Sequence, residues 1–290
     1  MSWTAHMLTL QLVGDIHCGD MPLGFVARTH AFVPGHIPFF ALVPAAVKLL
    51  GMPDVHASYK AVEHLFDACL RCTPLYVLND DGNALFPWKD EDREVLESRY
   101  LGSRYGVALN DATRSAKDSC LYETEVILGQ PRNSQQPTCL QGALFHRPGE
   151  AASLAMTEDG SLLWQGKRAT LADMLGHMRL GGDRTRALGR PATAKLAPCP
   201  PRLWAIYALD CQGQWPALEV APGKDGPLPL DMDAAPHVQG RPLVLTGRRH
   251  TARGAGMGMD AASMAYAPGW KPDKALRVWL SSARCATCAA

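Results

Sequence analysis

Residues 8–13, Leu8-Thr9-Leu10-Gln11-Leu12-Val13, alternate apolar and polar side chains, and Gly14-Asp15 follow at once. A period of two belongs to a strand with one face buried, and Gly-Asp is turn chemistry, so the spacing predicts a first strand that ends here. Further along, the period changes. Val33-Pro34-Gly35 reads as a turn, and Ala41 to Leu50 carries apolar residues at helical spacing until Gly51-Met52-Pro53 stops it. With that start, Pro44 falls in the first turn, where its missing N–H is tolerated. Ala57 to Cys72 reads as a second helix with Val62, Leu65, Phe66, Cys69 and Leu70 on one stripe.

Residues 73–98 hold Pro74, Asn79-Asp80-Asp81-Gly82, Pro87 and the acidic run Asp90 to Glu97, a composition that predicts a solvated, turn-rich insertion. Val107–Asn110 and Leu121–Ile127 read as strands of an extended hairpin, whose connection Asp111–Ser119 is too long for a tight turn. Turn-rich segments at 130–139 and 149–160 put the end of a first unit near residue 160, leaving units of 1–160 and 161–290. In the second, a short helix over Leu171–Met178 precedes strands at 203–208, 242–246 and 276–280.

At 290 residues, 47% hydrophobic and 20% charged, the chain is long enough and apolar enough for a sizeable core. No uncharged apolar run reaches eighteen residues and no basic leader opens the sequence, so a soluble cytoplasmic protein with no membrane contact is expected. A formal net charge of +1 excludes binding of nucleic acid by bulk positive charge and leaves the decision to local clusters. The nine cysteines are odd in number and scattered, which favours reduced thiols.

The densest cluster is Arg179-Leu-Gly-Gly-Asp-Arg-Thr-Arg-Ala-Leu-Gly-Arg190, with Arg179, Arg184, Arg186 and Arg190 against one aspartate, and Gly181, Gly182 and Gly189 between them. Glycines let backbone N–H groups come close to a phosphate, and arginines fork onto its oxygens, so this loop suits a nucleic-acid backbone. Composition alone fits a solvated surface loop equally well. Arg248, Arg249 and Arg253 adjoin Gly254, Gly256 and Gly258, which mimic a dinucleotide fingerprint only superficially, because no strand–helix context or ribose-binding acid accompanies them. Arg99, Arg104, Arg114 and Lys117 form a third cluster on and beside the hairpin, where charge is often merely solubilising.

Two C-x-x-C pairs, Cys69/Cys72 and Cys285/Cys288, have zinc-ligand spacing, although 212 residues separate them and buried helix thiols plus a frayed tail explain them as well. No nucleophile elbow, zincin motif, Walker loop or paired-carboxylate signature occurs, and no cofactor is expected. His36, after Pro34-Gly35, is the best single candidate for acid–base work, with His17 or a lysine as partner; histidines at helix starts more often bind or pack.

Three of these pieces, in this order, resemble the RAMP superfamily of CRISPR effector subunits, especially the type III subunits that cap the 5′ end of the guide RNA. Val33-Pro34-Gly35-His36-Ile37-Pro38-Phe39-Phe40-Ala41-Leu42 is similar to that family's post-strand turn, with Phe40 where a glycine is usual. Val107–Arg114 with Leu121–Ile127 resembles its thumb hairpin, and 179–190 its glycine-rich loop, with Ala187 in place of a common glycine. Gly14–Thr29, with His17, Gly19, Gly24, Phe25 and Thr29, is similar to the opening of these subunits. The resemblance implies an α+β chain of one or two ferredoxin-like (RRM-like) folds with long loops and a thumb-like β-hairpin, and a non-catalytic RNA-binding subunit holding the crRNA 5′ handle in an antiviral ribonucleoprotein. Its implied neighbours are the large signalling subunit and the backbone RAMP subunits, with target nucleic acid contacted indirectly. On this resemblance His36 and Lys48 sit near the handle, and the arginine and glycine positions above contact or admit phosphate. A guide-processing endoribonuclease of the same fold, using His36 or His17, is the alternative.

Overall fold

The computed structural model describes residues 2–110, 112–182, 188–235, 237–245, 248–251, 254–259, 262–281 and 284–288. Its elements begin with β1 (Thr4–Leu12), a hairpin of β2 (Gly19–Leu23) and β3 (Val26–Thr29), α1 (His36–Leu49), α2 (His56–Cys69), β4 (Leu70–Cys72) and β5 (Tyr76–Val77). They continue with α3 (Asp90–Val95), β6 (Leu101–Leu109), β7 (Ala116–Ile127) and β8 (Cys139–His146). A meander follows, β9 (Gly149–Ala151), β10 (Leu154–Met156), β11 (Leu162–Trp164) and β12 (Lys167–Ala169), then α4 (Leu171–His177) and β13 (Pro191–Pro198). The main sheet has the order β13-β1-β8-β4, antiparallel throughout, with β5 also paired to β8. With the short pieces set aside and α1 and α2 both taken into the first crossover, this is strand–helices–strand–strand–helix–strand with the last strand beside the first, the ferredoxin-like arrangement.

The alternation in β1 is what builds the sheet into the molecule. Leu8, Leu10 and Leu12 point to the helices and are fully or almost fully buried. On the opposite face Trp3, Ala5 and Met7 join a second core with Leu203, Tyr207, Leu218 and Val278 from the C-terminal strands. Where that cover stops, the same face turns polar: Gln141 Nε2 donates to Thr9 Oγ1 at 3.3 Å, and Thr193 Oγ1 donates to Gln11 Oε1 at 2.9 Å. After β13 the chain is strand-rich, with a sheet in the order 202–203, 207–210, 217–220, 276–279, 287–288 and no helix among the described residues.

Several local expectations need correction. α1 starts at His36, five residues before the apolar spacing suggests, so Pro44 lies inside the helix rather than in its first turn. The helix tolerates the lost hydrogen bond because α1 is buried almost all round, Phe39, Leu42, Val43, Ala46 and Val47 included. The segment 73–98 is not a solvated insertion: Tyr76 and Val77 pair with Gln141 and Leu140 of β8, and Leu75, Tyr76, Leu85, Phe86 and Leu96 are buried. The hairpin is longer and tighter than expected, since its strands close on a turn at 110–115 in which Arg114 takes a left-handed φ of 56°. The turn-rich stretch 149–160 holds β9 and β10, and the core of the first sheet runs on through Leu162, Leu171, Met174, Leu175 and Leu180.

A buried cation clamps the two cores together. Arg71 is 1% exposed. Its guanidinium donates to the backbone oxygens of Leu280 (2.8 Å), Ser281 (2.9 Å), Leu70 (2.6 Å) and Asp67 (2.7 Å), and it lies over the Trp215 ring at 4.4 Å. Burial lowers its pKa to about 10, still far above neutrality, so it stays charged. Arg71→Met keeps the apolar stem and strands four carbonyl acceptors; stability should fall by about 3 kcal/mol. Urea unfolding followed by tryptophan fluorescence measures it, and an unchanged midpoint would refute the clamp.

Candidate nucleic-acid interface

Five segments meet beyond the C-terminal end of β1. Asp15 is the junction: its Oδ1 accepts from Gly129 N at 2.8 Å, its Oδ2 from Arg104 Nε at 2.6 Å, and its backbone oxygen from Gly189 N at 2.9 Å. His17 is next. Its backbone oxygen accepts from Gly182 N at 2.9 Å, and its ring Nδ1 lies 2.8 Å from the Glu125 carbonyl oxygen. A carbonyl can only accept, so Nδ1 carries the proton and Nε2 is the acceptor atom of the neutral ring. The Glu125 carboxylate in turn accepts from Arg28 Nε and Thr29 N, both at 2.9 Å, tying β3 to β7.

The glycine-rich loop is docked on this junction. Gly181 and Gly189 have φ of 73° and 78°, and a Cβ would collide with the His17 carbonyl oxygen at the first and with Leu180 backbone at the second. Their glycines are therefore demanded by the chain's own packing, whatever else approaches the loop. Gly35, the N-cap of α1, is equally constrained, because a Cβ there would overlap the Cys72 carbonyl oxygen.

The N-terminus of α1 opens next to these loops. No side chain caps it, but Ile37 N donates to the Pro34 carbonyl oxygen at 2.9 Å and Pro38 has no N–H, so few amides of this helix end are left without a partner. His36 is the first helical residue, and burial, helped by the charges of Arg284 and His30, pushes its pKa down to about 4. Its Nδ1 is buried without a hydrogen-bond partner. His30 is also held below the usual histidine range, mainly by burial; Asp20 opposes this from 3.6 Å, while Arg241 and His17 add to it. His17, His30 and His36 thus form an electrostatically linked set with Arg241 and Arg284, two arginines that sequence reasoning passed over because they lie singly in the C-terminal part.

The other expected residues divide. Arg104 reaches the junction, yet its charge is matched by Asp15; Arg28 and Arg99 are likewise paired, with Glu125 and Asp80. Arg179 and Arg190 are exposed at the two ends of the glycine-rich loop, and Arg184 and Arg186 lie outside the described residues. Lys48 is exposed in the last turn of α1, about 18 Å of helix away from His36, so the two do not act at one point. Arg114 and Lys117 are exposed at the far tip of the hairpin. Arg248 and Arg249 open a strand, 248–251, that pairs with 254–259; a hairpin replaces the loop and helix that a dinucleotide site needs, and Arg253 lies outside the described residues. The C-x-x-C pairs are not assembled. Cys69 and Cys72 are buried with raised pKa values, and among the described residues no three His, Cys, Asp or Glu side chains are grouped to hold a metal ion, so the four-cysteine set with Cys285 and Cys288 is not formed.

One side of the hairpin is apolar and open. Tyr105, Val107 and Leu109 alternate along β6, Val107 faces Leu121 across the ladder, and Tyr105 and Leu121 are 69% and 57% exposed. No helix among the described residues is long and apolar enough to cross a membrane.

The sheet order defines the chain as a ferredoxin-like α+β protein. No protein family matches its sequence, and no curated protein is similar to it. Among solved structures it is similar to a chain of Type III-B Cmr-beta bound to cognate target RNA, at 12% identity over 91% of this chain and 85% of that one, with a TM-score of 0.44. A second match, at 10% identity, is a chain of Type III-B Cmr-beta bound to cognate target RNA and AMPPnP, state 1; it covers 91% of this chain and 84% of that one, with a TM-score of 0.42.

The histidines set a pH dependence. His36 and His146, both with pKa near 4, and His6 and His30, also lowered, are neutral in the fold, whereas the unfolded chain protonates them near 6.5. Below about pH 6.5 the unfolded state binds more protons, so stability is full above that value. For His36 and His146 it falls on acidification toward pH 4 by up to about 1.4 kcal/mol per pH unit each, and His6 and His30 act in the same direction. Urea midpoints between pH 7 and pH 4 should show this fall, and His36→Gln should flatten it; a slope unaltered by His36→Gln would contradict the assigned burial.

Proposed function

We propose that the chain is a non-catalytic RNA-binding subunit of a type III-like CRISPR ribonucleoprotein, working in the cytoplasm and holding the repeat-derived 5′ handle of the guide RNA. What supports this most is a convergence: the His17–His30–His36 set, Arg241, Arg284 and the two ends of the glycine-rich loop, with Arg179 and Arg190 exposed, share one end of a ferredoxin-like sheet. Arginines are phosphate-binding chemistry. The motif order in the sequence supplies the particular RNA and the neighbours, which are the large signalling subunit and the backbone RAMP subunits. On this reading Arg179, Arg184, Arg186 and Arg190 meet phosphates, and the blade of Tyr105, Val107 and Leu121, tipped by Arg114 and Lys117, wedges against adjoining nucleotides. The handle unit ends after β13, later than residue 160, and the strand-rich remainder closes the back of its sheet.

Fluorescence anisotropy with a labelled repeat-derived RNA across a salt series tests it. Arg184→Ala with Arg186→Ala should weaken binding and make its salt dependence shallower, by about 0.7 in the logarithmic slope for each single-strand phosphate that the variant leaves unneutralised. Binding that ignores both salt and these substitutions would reject the reading.

One observation favours a second reading, a metal-independent guide-processing endoribonuclease. His17 has its Nδ1 proton fixed by a carbonyl, which leaves Nε2 placed as a general base, whereas His36, with a pKa near 4, is a poor base at neutral pH. Cleavage of repeat RNA in the presence of a chelator, abolished by His17→Ala, would select the enzyme; binding without cleavage selects the scaffold.

A further inference from the structure

Cys199 follows β13, the edge strand of the main sheet, and precedes Pro200-Pro201. A residue before a proline is pushed into extended backbone, so the chain leaves β13 without turning. It then enters a hairpin. Arg202 faces Ala208, Leu203 faces Tyr207, and Leu209 N donates to the Pro201 carbonyl oxygen at 3.0 Å. Carried two residues further, the same register sets Cys199 opposite Cys211.

The first strand holds both residues in that position. Cys199 N donates to the Ala5 carbonyl oxygen at 3.1 Å, and Trp3 N donates to the Cys211 carbonyl oxygen at 2.8 Å, so the two cysteines lie next to each other along one edge of β1. Alternation brings their side chains to one face. Leu203, Tyr207 and Leu209 share the parity of Cys199 and Cys211 along the hairpin, and all pack in or against the second core. Facing residues of an antiparallel pair stand about 4.5–5.5 Å apart at Cα, within the span of about 4.4–6.8 Å that a disulfide bridges without backbone movement.

Both are free thiols and half-buried, within reach of a small reagent. Burial, with Cys211 alongside, pushes the Cys199 thiol up to about 11, and burial also raises Cys211. At neutral pH the pair therefore stays protonated and exchanges slowly. Among the described residues no three His, Cys, Asp or Glu side chains are grouped to hold a metal ion, which leaves each thiol the other as its reaction partner.

We propose that Cys199 and Cys211 are a thiol–disulfide switch that joins the edge of the ferredoxin-like sheet to the C-terminal strands when a low-molecular-weight disulfide accumulates. One cysteine thiolate attacks the reagent's disulfide, forms a mixed disulfide and releases one reagent thiolate. The second cysteine thiolate attacks the protein sulfur of that mixed disulfide and releases the other. Two electrons pass from protein to reagent, and the two protons lost by the cysteines are taken up by the released thiolates. The new bond closes the hairpin that carries Trp204, whose ring lies 5.1 Å from Tyr76 and 5.7 Å from Phe86 of the first unit. Oxidation thus adds a covalent link where Arg71 otherwise supplies hydrogen bonds. The switch does not depend on the RNA reading.

The test equilibrates the native full-length chain with oxidised glutathione at about pH 8, where thiolate is more abundant. Remaining thiols are alkylated and the protein is digested with trypsin, which cuts after Lys195, Arg202 and Lys224 and so separates the two cysteines. Peptides 196–202 and 203–224 should run as one linked species that dithiothreitol divides, and the oxidised protein should melt roughly 5 °C above the reduced one. Cys211→Ser should abolish both the linked species and the shift, whereas Cys139→Ser should abolish neither. The wild-type digest decides the matter even where a variant does not fold. Recovery of both peptides alkylated or carrying glutathione alone, a link that forms only in urea, or a link with no rise in melting temperature would each overturn the proposal.

Discussion

The arrangement depends on one carboxylate. Asp15 sits at the turn where β1 leaves the sheet and is almost entirely buried, so its charge must be matched and its acceptor sites filled. It achieves this by drawing in Arg104 from the hairpin, Gly129 from the loop before β8 and, through its backbone oxygen, Gly189 from the glycine-rich loop. Three segments far apart in sequence are thereby indexed to the end of the first strand. Because the partners are backbone groups and one arginine with geometric demands, the junction is a fixed reference rather than a loose surface contact.

From that reference the rest of the site follows by packing. Gly182 bonds to the His17 carbonyl, Cys18 N donates to Thr29 Oγ1 at 2.8 Å, and Thr29 N is held by Glu125, so the β2–β3 hairpin, β7 and the glycine-rich loop are in register with one another. α1 is aimed at the same place because Gly35 packs directly on the Cys72 carbonyl. At the opposite side of the sheet, Arg71 ties the carbonyls of Leu280 and Ser281 to the first unit, which also brings Arg284 into electrostatic range of His36. The clamp and the site are linked through four residues of chain.

Much of the frame was legible in the sequence, for identifiable reasons. The alternation Leu8 to Val13 announces both the strand and the polarity of its second face, since Thr9 and Gln11 mark where the C-terminal cover stops. The α2 stripe is equally plain as far as Cys69, but Leu70 and Cys72, read as its end, form β4 beside β8. The apolar spacing starts α1 late because a helix buried almost all round has no polar face to define its start. The 73–98 segment misleads because its buried residues, Tyr76 and Phe86, are scattered among turn residues, and their burial depends on Trp204, over a hundred positions away. Asp15, Arg241 and Arg284 carry no local signal at all: each is a single charged residue whose role arises only when distant loops meet it.

The balance of charge at the site bears on how it can hold an anion. Asp15, Asp20 and Glu125 all lie within it, and two of its arginines, Arg28 and Arg104, are engaged with two of these acids. Counting arginines therefore overstates the attraction. Of the other cations, Arg241 and Arg284 act electrostatically on His30 and His36, Arg179 and Arg190 are exposed at the ends of the glycine-rich loop, and buried His36 stays neutral. Under the RNA-binding reading proposed above, attraction rests on a few placed cations and not on bulk charge, which suits a chain whose formal net charge is only +1.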